Sequence, residues 1–313
     1  MTRLVRQAEA ANLVAKDQRS VLVTGAPGGL GSATVRRLAD LGWQVFAGVR
    51  AVETAKELVR DRERVVPVEL DLCQEGSIRR ARDEISRHLD GRGLDGLVNN
   101  AGLVVPGPIE LIPTPALRRQ FEVNVIGHVV VTQCFLPLLR RACGRVVTVS
   151  GAAGRVTVPM LGAISASKAA LESVTDALRM ELRHQGVRVS IVTPGLLQTR
   201  LHHKAVQAAH RDGYAGDPEA RQIYRDAVDD LEERLMNAKE APVELAVTRI
   251  VEALTARRPA ARYVVGRDAR QLIMLERLPN GVRDRLLMWN RGLKRELFHC
   301  AEPAWEPDAV RHW

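Results

Sequence analysis

Cysteine is scarce in this chain: Cys73, Cys134, Cys143 and Cys300 lie far apart with no Cys-x-x-Cys pair, and the eight histidines show no ligand spacing. Neither a disulfide framework nor a zinc site is indicated, and a reducing, cytoplasmic setting is expected. Long apolar runs are missing too. None approaches the roughly 18 residues of a spanning helix, and Met1 to Ser20 carries charges throughout where a signal peptide needs an apolar stretch. A soluble, non-exported protein is expected, without membrane association. Aromatic residues make up only 4% of the chain, so platforms for base stacking are poorly supplied and no nucleic-acid partner is expected. Lysine is rare as well, six against forty arginines, a bias that hints at a GC-rich bacterial genome and says nothing about chemistry.

What remains is ordinary globular material: 46% apolar residues, 27% charged, 24 Gly and 15 Pro in 313 residues. That length suits one large α/β domain carrying a long lid. The net charge is +9, and the segment Arg257 to Cys300 holds eleven Lys and Arg against four Asp and Glu. Those charges interrupt Leu272, Ile273, Leu275, Leu278, Leu286 and Leu287, which reads as the wet face of packed helices.

Seven short β-branched runs recur: Ser20 to Thr24, Gln44 to Val49, Val65 to Leu70, Leu94 to Asn99, Gly144 to Ser150, Val187 to Thr193 and Arg262 to Val265. Between them the apolar period changes from two to 3.6, over Gly29 to Leu41, Glu75 to Leu89, Pro115 to Arg141, Ile164 to Gln185 and Val243 to Arg257. Such alternation predicts a doubly wound, seven-stranded parallel sheet in a single α/β domain. The domain spans 20–266, after an N-terminal extension (1–19) and before a C-terminal helical extension (267–313). Arg200 to Glu240 is polar, holds Gly213 and Pro218, and is too long for an ordinary connection. It reads as a lid or substrate loop.

After the first strand comes Thr24-Gly25-Ala26-Pro27-Gly28-Gly29-Leu30-Gly31, opening into a helix. Glycines there let the backbone approach a pyrophosphate, and the helix N-terminus offers free N–H groups to it. Further along stand Asp71 after the third strand, Asn99-Asn100-Ala101-Gly102 after the fourth, Asn124 in Asn124-Val125-Ile126-Gly127, and Pro194-Gly195 with Thr199 after the sixth. With these motifs in order, the sequence resembles the short-chain dehydrogenase/reductase family over about Ser20 to Thr199. Its ending Arg262-Tyr263-Val264-Val265-Gly266 resembles the hydroxysteroid and retinol dehydrogenase-like branch. The resemblance implies a Rossmann-type fold and a nicotinamide cofactor held by Thr24, Gly25, Gly29, Leu30, Gly31, Asp71, Asn99, Ala101, Gly102, Lys168, Pro194, Gly195 and Thr199. Arg50 closes the second strand, where an acidic residue would favour NAD(H) and a basic one a 2′-phosphate, so NADP(H) is expected.

The family's Tyr-x-x-x-Lys pair is incomplete here. Ser165-Ala166-Ser167-Lys168 supplies the lysine, and four residues before it stands Ile164. The serine thirteen residues upstream of the tyrosine position is replaced by Gly151, beside Ser150. Of the implied catalytic set, Asn124 and Lys168 remain. Loss of a positioned acid/base costs about 10²- to 10⁴-fold, and His202, His203, Tyr214, Tyr224 and His128 are the candidate replacements. Two readings stay open: an atypical NADP(H)-binding enzyme acting on a hydrophobic small molecule, by carbonyl or alcohol redox or by a non-redox reaction in the same pocket, and an inactive NADP(H)-binding sensor or scaffold. A homodimer or homotetramer through the two long helices, 115–141 and 164–185, is implied as well.

Overall fold

β-Branched residues crowd a helix and fit a pleated surface buried on both sides, and the seven runs that carry them are strands in the computed structural model, which describes residues 18–60, 62–237 and 240–289. They are β1 (Ser20–Thr24), β2 (Gln44–Val49), β3 (Val65–Glu69), β4 (Gly96–Asn99), β5 (Arg145–Val149), β6 (Arg188–Pro194) and β7 (Arg262–Val265). All pair in parallel in the order β3-β2-β1-β4-β5-β6-β7, with Leu22 beside Phe46 and Leu97 beside Val146. Strand order reverses between β1 and β4, so a crevice opens above their carboxyl ends.

Alternation within the strands divides the core in two. Val21, Val23, Val45, Val98 and Val147 face α1 (Gly29–Asp40) and α8 (Val243–Thr255). Leu22, Phe46, Leu97 and Val146 face α2 (Glu75–Leu89) and α4 (Gly127–Arg141). Next in the chain, α5 (Gly162–Glu181) packs on β6.

The long helix expected over 115–141 is composite. It begins as α3 (Thr114–Phe121), passes through a π-helical turn at Glu122–Ile126 and continues as α4. By length and composition this stretch is apolar enough to cross a membrane. Here Val131, Phe135, Leu138 and Leu139 line the second core, and a search for unbroken apolar runs misses the stretch because polar residues interrupt it.

The segment 200–240, expected as a polar loop, is largely helical. It forms α6 (Leu201–Asp212) and α7 (Pro218–Asn237), separated at Gly213 with φ +71°. Their apolar residues are few but periodic: Val206, Leu231 and Leu235 pack with Met160 and Leu161. Beyond β7, α9 (Arg267–Met274) and α10 (Asn280–Trp289) carry the described part of the C-terminal extension, whereas residues 1–17 and 290–313 lie outside the described residues.

One buried ion network fastens the last strand to α5. Arg262 on β7 bonds Glu172 and, at 3.3 Å, Asp176, while Thr193 on β6 reaches Glu172 at 3.5 Å. The Glu172 side chain is only 5% exposed. Removing its cation leaves a buried carboxylate unpaired, at a cost of about 3–5 kcal/mol. Arg262→Met is therefore expected to lower stability by that amount in chemical denaturation, and Glu172→Met/Arg262→Met to recover most of it. A single-variant loss below about 1 kcal/mol would contradict this.

Candidate active site

Thr24, the last residue of β1, has a side chain that bonds backbone across the crevice. Its Oγ1 donates to the Val98 carbonyl at 3.3 Å and accepts from the N–H groups of Asn100 (2.9 Å) and Ala101 (3.1 Å). Asn100 Nδ2 in turn donates to the Thr24 and Gly25 carbonyls. Gly25 sits at φ +64°, and a Cβ on it would lie 2.8 Å from Ala101 Cα. A Cβ on Gly31 would strike the Gly25 carbonyl, so glycine lets α1 start directly behind the turn. No side chain caps α1 and no acidic residue occupies its first turn. Its free N–H groups and positive dipole end are available to an anion. Thr199 closes the turn from the other side, 2.8 Å from where a Gly29 Cβ would stand. Leu30 is buried beneath it.

Arg50 and Asp71 stand at the neighbouring ends of β2 and β3, joined by the Leu70 N–H bond to the Val49 carbonyl at 2.7 Å. Asp71 accepts from the Cys73 N–H and the Gln74 side chain. Arg50 is exposed and has no ion-pair partner among the described residues.

A second cluster is built on α3 to α5. Asn124, fully buried in the π-helical turn, grips Leu103 by both backbone groups at 2.9 Å and donates to Ser167 Oγ at 3.1 Å. Gln120, one turn earlier, holds the Val105 N–H and also reaches Ser167. Ser167 and Gln120 were not singled out from the sequence; the four-residue step from Gln120 to Asn124 on one helix was the available signal. Lys168 Nζ donates to the Val149 carbonyl at 2.9 Å, and Gly102 faces both Lys168 and Asn124. Burial pulls Lys168 down to about 8, against the opposing pull of Glu172. His128 Nε2 meets the Ala101 carbonyl at 2.7 Å, and burial, with Lys168 adding to it, pushes this histidine down to about 3. Asn99 Nδ2 donates to Thr132, while its Oδ1 is buried without a partner.

On the far wall, Pro194 ends β6, the Gly195 N–H bonds Val265, and the Leu196 N–H bonds Asp268 of α9 at 2.7 Å. Ile164 is buried one helical turn before Lys168 on α5. Gly151 is extended, and a Cβ there would meet nothing nearer than the Pro194 carbonyl at 3.9 Å. Ser150 Oγ is buried and unpartnered. The positions singled out by the family resemblance thus gather into a glycine turn roofed by Thr199 and a buried pair, Asn124 and Lys168, joined through Ser167, with Arg50 and Asp71 at the outer end.

A model of the short chain dehydrogenase family matches residues 19–210. The chain belongs to the short-chain dehydrogenase family. A 3-amino-tetrahydro-pyrrolizinone reductase from Xenorhabdus hominickii is 36% identical over 260 residues, 81% of this chain and 88% of that protein. An NADPH-dependent 3-dehydrocapnine reductase from Ornithobacterium rhinotracheale is 36% identical over 255 residues, 79% of this chain and 88% of that protein. Among solved structures, a short chain dehydrogenase from Burkholderia cenocepacia J2315 in complex with NADP aligns at 28% identity with a TM-score of 0.68, over 86% of this chain and 98% of that one. Both relatives are named reductases, and this short-chain dehydrogenase is a member of an oxidoreductase family.

The two buried bases make stability depend on pH in a definite direction. Each has a folded-state value below its ordinary one, 6.5 for His128 and 10.5 for Lys168. Between the two values only the unfolded chain binds the proton, so stability rises with pH across each window. Lys168→Met is expected to raise the melting temperature at pH 7 and to lose that advantage between about pH 8 and 10.5, because wild type gains stability there. His128→Gln is expected to flatten the loss of stability between pH 6.5 and about 3. Thermal melts across pH that run parallel in wild type and variants would refute both.

Proposed function

We propose that this short-chain dehydrogenase is an NADP(H)-dependent oxidoreductase acting on a carbonyl or alcohol of a hydrophobic small molecule, with an atypical site in which Ile164 and Gly151 replace the family's tyrosine and serine. The observation that carries the reading is Lys168: a buried ammonium that, among the described residues, makes one bond, to Val149, with no carboxylate in bonding contact. Two N–H donors are left toward Gly102 and the cleft, where a ribose hydroxyl would satisfy them. The glycine turn and the uncapped end of α1 fit a pyrophosphate. Arg50, exposed and unpaired, fits a 2′-phosphate. The NADPH dependence of the Ornithobacterium relative and the NADP complex of the Burkholderia neighbour support the same choice.

Bound NADP(H) supplies or accepts the hydride. This chain's part is then to orient the cofactor, through Thr24, Gly29, Leu30, Gly31, Asp71, Asn99, Ala101, Pro194, Gly195 and Thr199, and to exclude water under α6 and α7. Met160 and Leu161 pack with Val206 where the roof meets the body, an apolar seam that supports a hydrophobic substrate. The exposed Ile126 and Met180 beside and on the long helices support a homodimer or homotetramer. Isoleucine at position 164 favours a second reading, NADP(H) binding without turnover, because an alkyl group transfers no proton.

Fluorescence titration should give NADPH binding at least about tenfold tighter than NADH, since a charge-assisted bond to a phosphate contributes about 1.5–3 kcal/mol. Arg50→Asp should abolish or reverse the preference. Equal affinities would remove the role given to Arg50, and binding of neither would remove the cofactor. The space beside Gly151 admits a serine side chain, so Gly151→Ser/Ile164→Tyr should raise reduction of a generic ketone by at least about tenfold. Lys168→Ala in that background should cancel the gain, because the phenol loses the neighbouring cation that lowers its pKa.

A further inference from the structure

Three groups near the roof of the crevice keep polar atoms buried without partners: His202 Nδ1, Tyr214 Oη and Glu240 Oε1. An unpaired buried polar atom costs about 1–3 kcal/mol, so such atoms point to a ligand or a proton-handling role. Tyr214 lays its ring on Gly107, and burial together with Glu232 and Asp229 pushes its hydroxyl up to about 12. Among the other candidates, Tyr224 is hydrogen-bonded to Glu110, Tyr263 holds the Ala260 N–H and His203 is exposed; His128 is wholly enclosed, with Nε2 on Ala101 and Nδ1 unpartnered, and Ser150 Oγ is likewise buried without a partner.

His202 is placed differently. It lies in the first turn of α6, three residues after Thr199, which closes on the glycine turn. On the same helical face follow Ala205 and Val206, both buried, and Val206 packs on Met160 and Leu161 just ahead of the first turn of α5, where Ile164 stands. The first turn of α6, which carries His202, therefore lies between the phosphate turn and the start of α5. Glu240 is brought beside it by the pairing of Leu197 with Ala241, in which Gln198 N–H bonds Ala241 and Ala241 N–H bonds Leu196. The two orphan atoms are not bonded to each other in this structure; Glu240 acts on the ring through its charge, and an Nδ1–H and a carboxylate oxygen are the donor and acceptor that a small approach of the two side chains would pair. Nε2 bonds nothing among the described residues and is not sealed.

We propose that His202, oriented by Glu240, is the catalytic proton acceptor and donor of this enzyme, in place of the absent tyrosine. The assignment rests on the reading of the chain as an NADP(H)-dependent oxidoreductase. In alcohol oxidation the O–H proton passes to Nε2 as the C–H hydride leaves for the oxidised nicotinamide, and the C=O double bond forms. In reduction the carbonyl carbon takes the hydride of the reduced nicotinamide and the oxygen takes the Nε2 proton, leaving a neutral ring. Burial draws His202 below its ordinary value, Glu240 opposes this, and His203 adds to it.

The full chain is tested with NADPH and acetophenone, and with NADP⁺ alone. His202→Gln should lower acetophenone reduction by at least about 10²-fold, with the NADPH dissociation constant within twofold of wild type. In the Gly151→Ser/Ile164→Tyr background the same substitution should cost less than about threefold, because a phenol then carries the proton. Histidine NMR supplies a readout free of turnover. The His202 ring signal should shift on saturation with NADP⁺, and Glu240→Gln should move its titration to lower pH. Unchanged turnover in His202→Gln, or a ring signal indifferent to both NADP⁺ and Glu240→Gln, overturns the assignment. Where acetophenone proves a poor substrate, the ring signal decides alone. Failure of wild type to bind NADPH would instead overturn the oxidoreductase reading on which it rests.

Discussion

One hydroxyl holds the crevice together. Thr24 Oγ1 joins β1 to the turn after β4 where the two strands stop sharing ladder bonds, accepting two backbone N–H groups and donating to a carbonyl. From there the bonding continues without a break. Beyond Ala101, Leu103 is gripped by Asn124, Asn124 meets Ser167, and Ser167 donates to the Ile164 carbonyl inside α5. Lys168, one residue on, ends the run on Val149 of β5. Buried polar networks are favourable only when nearly every member is satisfied, and this one ties the phosphate turn, the π-helical turn and the lysine into one rigid frame.

The frame also explains the π-helical turn. A regular α-helix through 114–141 places side chains at a fixed 100° step, and Asn124 must meet both backbone groups of Leu103 and the hydroxyl of Ser167 at once. The widened turn at Glu122–Ile126 re-aims it. Such bulges inside α-helices are frequent at functional sites. Asn124 makes three hydrogen bonds from this turn, the one to Ser167 fully buried.

Strands and most helices were legible because burial on both faces leaves continuous β-branched runs such as Val146 to Val149, and because α1 shows Leu30, Thr34, Val35 and Leu38 at helical spacing. The glycine turn, Asn124 and Lys168 were legible through the family resemblance that the ordered motifs carry. The π-helical turn was not, since it answers to a bond with a residue 21 positions away. Nor were α6 and α7, whose narrow apolar stripe is drowned by charges until Met160 and Leu161 supply its partner. His202 could be named as one of five candidates; its neighbour Glu240, 38 residues on, carried no local signal at all.

The roof differs from everything beneath it in how little holds it. Its α6 and α7 meet the body through Val206, Leu231 and Leu235 on Met160 and Leu161, with Ala215 bonding Leu111, Tyr214 resting on Gly107 and Tyr224 bonding Glu110. The sheet below is flanked by two extensive cores. Segments with few buried apolar contacts open at free energies well under that of global unfolding. On that ground the roof is the part of the molecule that opens at the lowest free-energy cost, ahead of the sheet and its two cores.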